Sequence, residues 1–275
     1  MCSIAMNISK IRYKNHFRNI SLSVLLSLIP AAAAGSGVRI ALLGDSMTWI
    51  GGDSCENAIG WSHKLKQTGI ADAIEVYARS GATWTNTCST RCDTAFYSEV
   101  LHDDNVIYNQ ARRLIGRVSA GVSVVPDMII VFAGANDAWF ADRRPGIYDT
   151  IQHLPEYTLS THPSDVTSLQ GSVALVCDIL TQSLPESKLM LVAPLEMSKV
   201  PASVTHTISD IIAGTAESKG ITTLRADRDV DIRHEVEADA PVFTSDGVHT
   251  NEAGASMLAT YIISNIENTI QNIQK

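Results

Sequence analysis

From Val38 onward, short apolar runs alternate with longer stretches whose apolar positions recur at helical spacing. The runs VRIALLG (38–44), IEVYARS (74–80), DMIIVFAG (127–134), KLMLVAP (188–194) and ITTLRA (221–226) predict five strands. Three of them are almost unbroken in their hydrophobicity, the pattern of strands covered on both faces. Between them lie GWSHKLKQTGIA, SEVLHDDNVIYNQARRLIGRVS, DVTSLQGSVALVCDILTQSL and SVTHTISDIIAGTAESKG, each long enough for a helix and ended by Gly or Pro signals. In the last segment, NEAGASMLATYIISNIENTI, one stripe collects Met257, Leu258, Tyr261, Ile262 and Ile266 and predicts a closing amphipathic helix.

Strand–helix alternation means a parallel sheet with helices on both faces, joined by right-handed crossovers. Five strands suit a flavodoxin-like, doubly wound α/β fold, whose ligands sit beyond the carboxyl ends of the strands. No repeat or linker divides the chain after residue 34, so residues 35–275 read as one domain. One long irregular stretch, 141–165, follows the third strand, and loops of that length inside compact domains are usually functional or mobile.

The first 34 residues have a different character. Lys10, Arg12, Lys14 and Arg18 precede the apolar run ISLSVLLSLIPAAAA, and no acidic residue interrupts them. This is the pattern of a secretory signal peptide with Ala32–Ala34 as the small residues for cleavage, and it predicts an exported, periplasmic or extracellular protein. The run from Ile20 to Ala34 contains Pro30 and falls short of the roughly 20 apolar residues of a membrane span. Cleavage removes four positive charges and no negative ones, so the formal net charge moves from −8 (21 minus 29) to −12 (17 minus 29). Such a charge argues against nucleic acid and anionic membrane surfaces as partners.

Four cysteines remain after residue 34: Cys55, Cys88, Cys92 and Cys177. Cys177 sits in an apolar helical run and is expected as a buried free thiol; a disulfide among the other three is open, with the pairing undetermined. The spacing lacks the paired-cysteine signature of zinc. DRDVDIRHEVEAD begins like a calcium loop but lacks its glycine and closing glutamate, so it reads as a solvated face.

The polar residues at the strand ends carry the chemistry. Gly44-Asp45-Ser46 ends the first strand, Ser80-Gly81-Ala82-Thr83 the second and Gly134-Ala135-Asn136-Asp137 the third, while TSDGVHTNEAG (244–254) precedes the last helix. A serine hydrolase needs a hydroxyl, an imidazole to take its proton, a carboxylate to orient that imidazole and donors for the developing oxyanion. Asp246 and His249, three apart in a turn, suit the carboxylate and imidazole, with Ser46 as the hydroxyl. The N–H groups of Ser46 and Gly81 and the side-chain amide of Asn136 suit the oxyanion. Ser54, in the Gly-rich loop WIGGDSCENAIG, reads as a turn residue.

In that order, Gly44-Asp45-Ser46, Gly81, Gly134-x-Asn136-Asp137 and Asp246-x-x-His249 resemble the four blocks of the SGNH (GDSL-type) hydrolase family, over about Ile40 to Gly254. The resemblance implies a three-layer α/β/α fold, no metal or other cofactor, and ester hydrolysis through an acyl-enzyme. By it, Ser46 is the nucleophile, His249 the general base, Asp246 its orienting partner, and Gly81 and Asn136 oxyanion donors. Beyond Gly81 the second block departs from the family's extended pattern.

Substrate is less legible. Trp49, Trp84 and Trp139 lie within a few residues of the motifs, so all three are candidates to line a cleft, although core packing is a tryptophan's default. Arg143 and Arg144 open the long loop and are expected at the surface. Export together with the resemblance points to a secreted esterase for short acyl groups, O-acetyl on carbohydrate above all. A lysophospholipase- or thioesterase-type lipid hydrolase and a carbohydrate-binding relative without turnover are the alternatives.

Overall fold

The structure, a computed structural model, describes residues 37–273, and the segment expected as a signal peptide lies outside them. The five expected strands form: β1 (Arg39–Gly44), β2 (Ala73–Val76), β3 (Met128–Phe132), β4 (Lys188–Val192) and β5 (Thr222–Leu224). They make one sheet of order β2-β1-β3-β4-β5, every neighbouring pair parallel. This is the doubly wound order, in which the chain starts at β1, winds outward to β2, then returns past β1 to β3 and onward. Every residue of β3 is buried, as its unbroken hydrophobicity requires when both faces are covered.

The helices are α1 (Ser46–Trp49), α2 (Trp61–Thr68), α3 (Ile107–Ser119), α4 (Ala135–Trp139), α5 (Leu169–Ser183), α6 (Ala202–Ser218), α7 (Ala226–Asp229), α8 (His234–Asp239) and α9 (Glu252–Ile273). One layer pairs α2 with α9, and the other joins α3, α5 and α6. Leu258, Ile262 and Ile266 of the α9 stripe are fully buried, and Trp61 of α2 meets Phe132 of β3 edge to face, 6.4 Å between ring centres. None of the described helices is long and apolar enough to cross a membrane.

Three expectations change. The segment expected as a helix from residue 98 becomes one only at Ile107, leaving residues 77–106 as a second long irregular stretch beside 141–165. The reason lies in Asn105, whose side-chain amide donates to the carbonyls of Ser80 (2.8 Å) and Val100 (2.9 Å), ties that a helix through this point would break. The acidic stretch after β5 is only partly solvated: Asp227 is buried against Arg225, and Glu237 is buried beneath residues 242–244. Arg144 is buried as well, paired with Asp103 at 3.1 Å.

All four described cysteines are free, Cys55 and Cys177 buried, Cys88 and Cys92 exposed. Burial pushes the Cys177 thiol up to about 12, which makes it inert at neutral pH.

Candidate active site

The first strand ends in a turn that leaves no room for a side chain. A Cβ at Gly44 would lie 2.2 Å from the Phe132 carbonyl oxygen of the neighbouring strand. Gln110 of α3 completes the anchor: its amide oxygen accepts from the Gly44 N–H (2.8 Å) and its amide nitrogen donates to the Gly44 carbonyl (2.9 Å). Asp45 then caps α1, accepting from the Met47 N–H at 2.9 Å, so Ser46 stands at the first helical position directly beyond the sheet. The other Asp45 oxygen accepts from the Ala135 N–H (3.3 Å), which ties the serine turn to the turn after β3.

Asp45 is fully buried, and that burial, with Asp137 nearby, pushes its carboxyl up to about 7 against the pull of its two N–H donors. An acid whose folded pKa lies above its unfolded value contributes stability that is complete below the unfolded value and lost as pH rises through the folded one. Asp45→Asn, which carries no charge to bury, is therefore expected to gain stability relative to the parent as pH rises from about 4 through about 7. Paired denaturation curves across that range check it; a constant difference contradicts it.

The second and third turns are held by a buried carboxylate. Asp137 accepts from the N–H groups of Trp84 and Thr85, each at 2.9 Å, and from the Thr85 hydroxyl at 2.6 Å. Burial raises its pKa despite these donors. Gly81, at φ +81°, has no space for a Cβ, which would lie 2.5 Å from the Val100 carbonyl carbon. Asn136 donates one amide hydrogen to the Ala82 carbonyl (2.9 Å), which fixes the amide plane and leaves its second N–H available. Among the described residues the backbone N–H groups of Ser46 and Gly81 have no protein acceptor.

The fourth turn is built from below. The buried Glu237 carboxylate accepts from the N–H groups of Val242, Phe243 (2.9 Å) and Thr244, and from the Thr244 hydroxyl. Thr244 and Thr250 bridge, closing the loop that holds Asp246 and His249. Gly247, at φ +83°, packs where a Cβ would lie 1.9 Å from Ser198 Oγ, and its carbonyl accepts from the Ser198 N–H (2.7 Å). Glu237→Gln puts a donating NH2 where donors already converge, and is expected to cost about 1–3 kcal/mol of stability. Denaturant unfolding measures it, and an unchanged midpoint contradicts it.

Within this turn Asp246 accepts from the N–H groups of Val248 (3.0 Å) and His249 (2.8 Å), and its other oxygen lies 2.8 Å from His249 Nδ1. Burial alone would raise the Asp246 carboxyl; the His249 ring and the two backbone donors outweigh it and hold the pKa below the usual carboxylate value. An ionised carboxylate at Nδ1 keeps the proton there and leaves Nε2 as the basic nitrogen.

Ser46, Gly81, Asn136 and His249 line one cleft of about 240 Å³, brought from four turns at the carboxyl edge of the sheet. Its remaining wall includes Val100, Leu101, Trp139 and Phe140. Of the three tryptophans named from sequence, only Trp139 is on this wall; it is 39% exposed and stacks on Phe140 with 5.3 Å between ring centres. Trp84 is fully buried and its indole N–H donates to the Ala133 carbonyl (3.1 Å), because the Asp137 ties pull residues 84 and 85 inward. Trp49 is half-buried and outside the lining. Phe140, Val100 and Leu101 are additions that the sequence reading missed. Phe140 had a signal in its adjacency to Trp139, whereas the other two were hidden in the supposed helix.

Ser54 lies in a turn and is exposed. His206 places its Nε2 2.9 Å from Glu196, ten positions earlier in the chain. His63 and His234 each place Nδ1 on a backbone carbonyl, of Cys55 and Met197. None of these three lines the cleft.

Solved structures of similar fold cover most of this chain and nearly the whole of their own. A Lactobacillus plantarum protein superposes with a TM-score of 0.55 at 19% identity, over 85% of this chain and 98% of that one. For a protein from Bacteroides ovatus described as a GDSL-like lipase, the values are 0.54, 16%, 85% and 99%. For an acetyl xylan esterase they are 0.51, 19%, 83% and 100%. No curated protein sequence matches this chain significantly. The sequence model of the GDSL-like lipase/acylhydrolase family matches residues 42–257, which takes in all four turns of the cleft. With its five-stranded parallel sheet and that match over most of its length, the chain belongs to the GDSL-like lipase/acylhydrolase family.

Proposed function

We propose that this protein is an exported serine esterase that removes short acyl groups, O-acetyl above all, from carbohydrate through an acyl-enzyme on Ser46. The observation that carries the reading is the convergence of Ser46, His249, Gly81 and Asn136 on one cleft, with Asp246 2.8 Å behind the imidazole.

In this reading the Ser46 hydroxyl attacks the ester carbonyl carbon as His249 Nε2 takes its proton. The carbonyl oxygen becomes an oxyanion, held by the N–H groups of Ser46 and Gly81 and the free amide N–H of Asn136. These donors are already fixed by the turns, so they need little reorganisation as charge develops. Collapse breaks the bond to the alcohol oxygen, which leaves with the proton from His249. Water then attacks the acyl carbon, giving its proton to Nε2, and the carboxylic acid departs as the proton returns to Ser46.

The partly exposed Trp139 ring on the cleft wall supports a sugar ring as the alcohol part, because an aromatic plane suits the apolar face of a pyranose. The fold shared with an acetyl xylan esterase supports the same class. Trp139→Ala is expected to raise KM for acetylated xylo-oligosaccharides about two- to tenfold while leaving turnover of 4-nitrophenyl acetate close to the parent's. An unchanged KM would remove Trp139 from the substrate.

The apolar Val100 and Leu101 in the cleft lining favour a second reading, a lipid-directed hydrolase with an acyl chain packed beside them. A panel of acetylated sugars, lysophospholipids and 4-nitrophenyl esters of increasing length separates the two, with the Ser46→Ala protein as control. Activity peaking on acetyl esters supports the first, and a rise toward long chains overturns it.

A further inference from the structure

The segment that walls the cleft at residues 99–101 also walls a second depression. Thr94, Ala95 and Tyr97 face Arg112, Arg113 and Arg117 of α3 across a groove of about 570 Å³. Gly116 on the same helix borders open space, where a Cβ would meet nothing within 4 Å. Arg79 joins the two depressions: it precedes the cleft residues Ser80 and Gly81, and its guanidinium lies 4.3 Å from the Tyr97 ring centre.

Three arginines lining one groove, with Arg79 beside its Tyr97, run against the charge of a chain that carries 17 cations and 29 acids after residue 34. Arg79 pairs with Asp53, and Arg117 bonds Ser123 with Glu75 4.0 Å away. Arg112 donates to the Leu159 carbonyl. Arg113 is the buried member: only 6% exposed, it donates to backbone carbonyls and forms no ion pair with a carboxylate among the described residues. Its Nε and Nη2 donate to the carbonyls of Thr94 and Phe96, its guanidinium lies 3.6 Å from the Tyr97 ring centre, and Nη1 has no partner. A guanidinium cannot shed its proton to escape burial, so an unmatched one is retained at a cost that an anion in the groove would offset.

We propose that this groove binds the carboxylates of an acidic glycan, with Arg112, Arg113 and Arg117 as the anion site and the Tyr97 ring, against which the Arg113 and Arg79 guanidinium groups lie, as their support. The proposal rests on the carbohydrate esterase reading and narrows it: the polymer that presents its acetyl ester to Ser46 is a uronate-containing polysaccharide.

Binding is measured on the Ser46→Ala protein, so that it does not depend on turnover. De-esterified oligogalacturonate, xylo-oligosaccharide of the same length and a sulfated oligosaccharide are titrated by calorimetry. The uronate is expected to bind and the neutral oligomer not, with affinity falling as salt is raised to about 0.5 M. Adding Arg112→Gln and Arg117→Gln, at half-buried and exposed positions that leave buried Arg113 intact, is expected to weaken uronate binding about tenfold with unchanged thermal stability. Equal binding of uronate and neutral oligomers, preference for the sulfated one, or equal affinity with and without the two substitutions overturns the proposal. In the otherwise native protein the same two substitutions leave 4-nitrophenyl acetate turnover at the parent's rate, so failure of the groove and failure of the esterase reading are told apart.

Discussion

Ser46→Ala and His249→Ala are expected to lower esterase kcat by nearly the same factor, about 10⁴ or more, and the double variant to lose little beyond either single one. The equality follows from the chemistry: a serine hydroxyl without a base is a poor nucleophile, and a base without the hydroxyl has no proton to take. Neither side chain holds up the fold. Ser46 Oγ makes no hydrogen bond among the described residues, and the 244–250 loop is fixed by Glu237 and its own backbone, with His249 contributing one ring contact. Both variants should therefore unfold within about 1 kcal/mol of the parent. Steady-state kinetics with 4-nitrophenyl acetate, beside denaturation curves, measure the two properties separately. A His249→Ala protein that keeps a tenth of the parent rate would remove the imidazole from the chemistry.

The second large effect belongs to Asn136. Its amide is held by one hydrogen bond to the Ala82 carbonyl, and its other N–H is expected to meet the oxyanion. Asn136→Ala is expected to slow kcat about 10²- to 10³-fold with little change in KM, because the donor matters chiefly once charge has moved onto the oxygen. Loss of the Ala82 tie costs some local order, so Asn136→Asp is a useful companion: it is similar in size but brings negative charge to the oxyanion. It should be at least as slow as the alanine variant. Full activity in either would make the turn after β3 a structural feature only.

The sheet was legible because each strand is a short hydrophobic run that survives in any context. β3 is buried at all five positions, as its sequence demands. The four polar turns were legible because glycine and small polar residues interrupt those runs at the carboxyl ends, where a parallel sheet opens. What the sequence hid was set by distant partners. Trp84 looked like a cleft residue by its closeness to Gly81, but Asp137, more than fifty positions away, draws its backbone into the core. Residues 98–106 had helical spacing, yet Asn105 spends its side chain on Ser80 and Val100 and holds an irregular wall. Glu237 looked solvated in an acidic run, and its burial appears only when residues 242–244 fold over it. Arg144 looked like a loop residue and is buried beside Asp103 and Thr83. Periodicity reports how a segment meets its own neighbours, and each of these residues is placed by a contact outside that window.

A fluorophosphonate probe followed by peptide mass mapping puts the nucleophile itself to the test. One adduct, on the peptide carrying Ser46 and absent from both Ser46→Ala and His249→Ala, is the expected result. An adduct on another serine, or an unlabelled protein that is folded and still hydrolyses esters, would contradict the account.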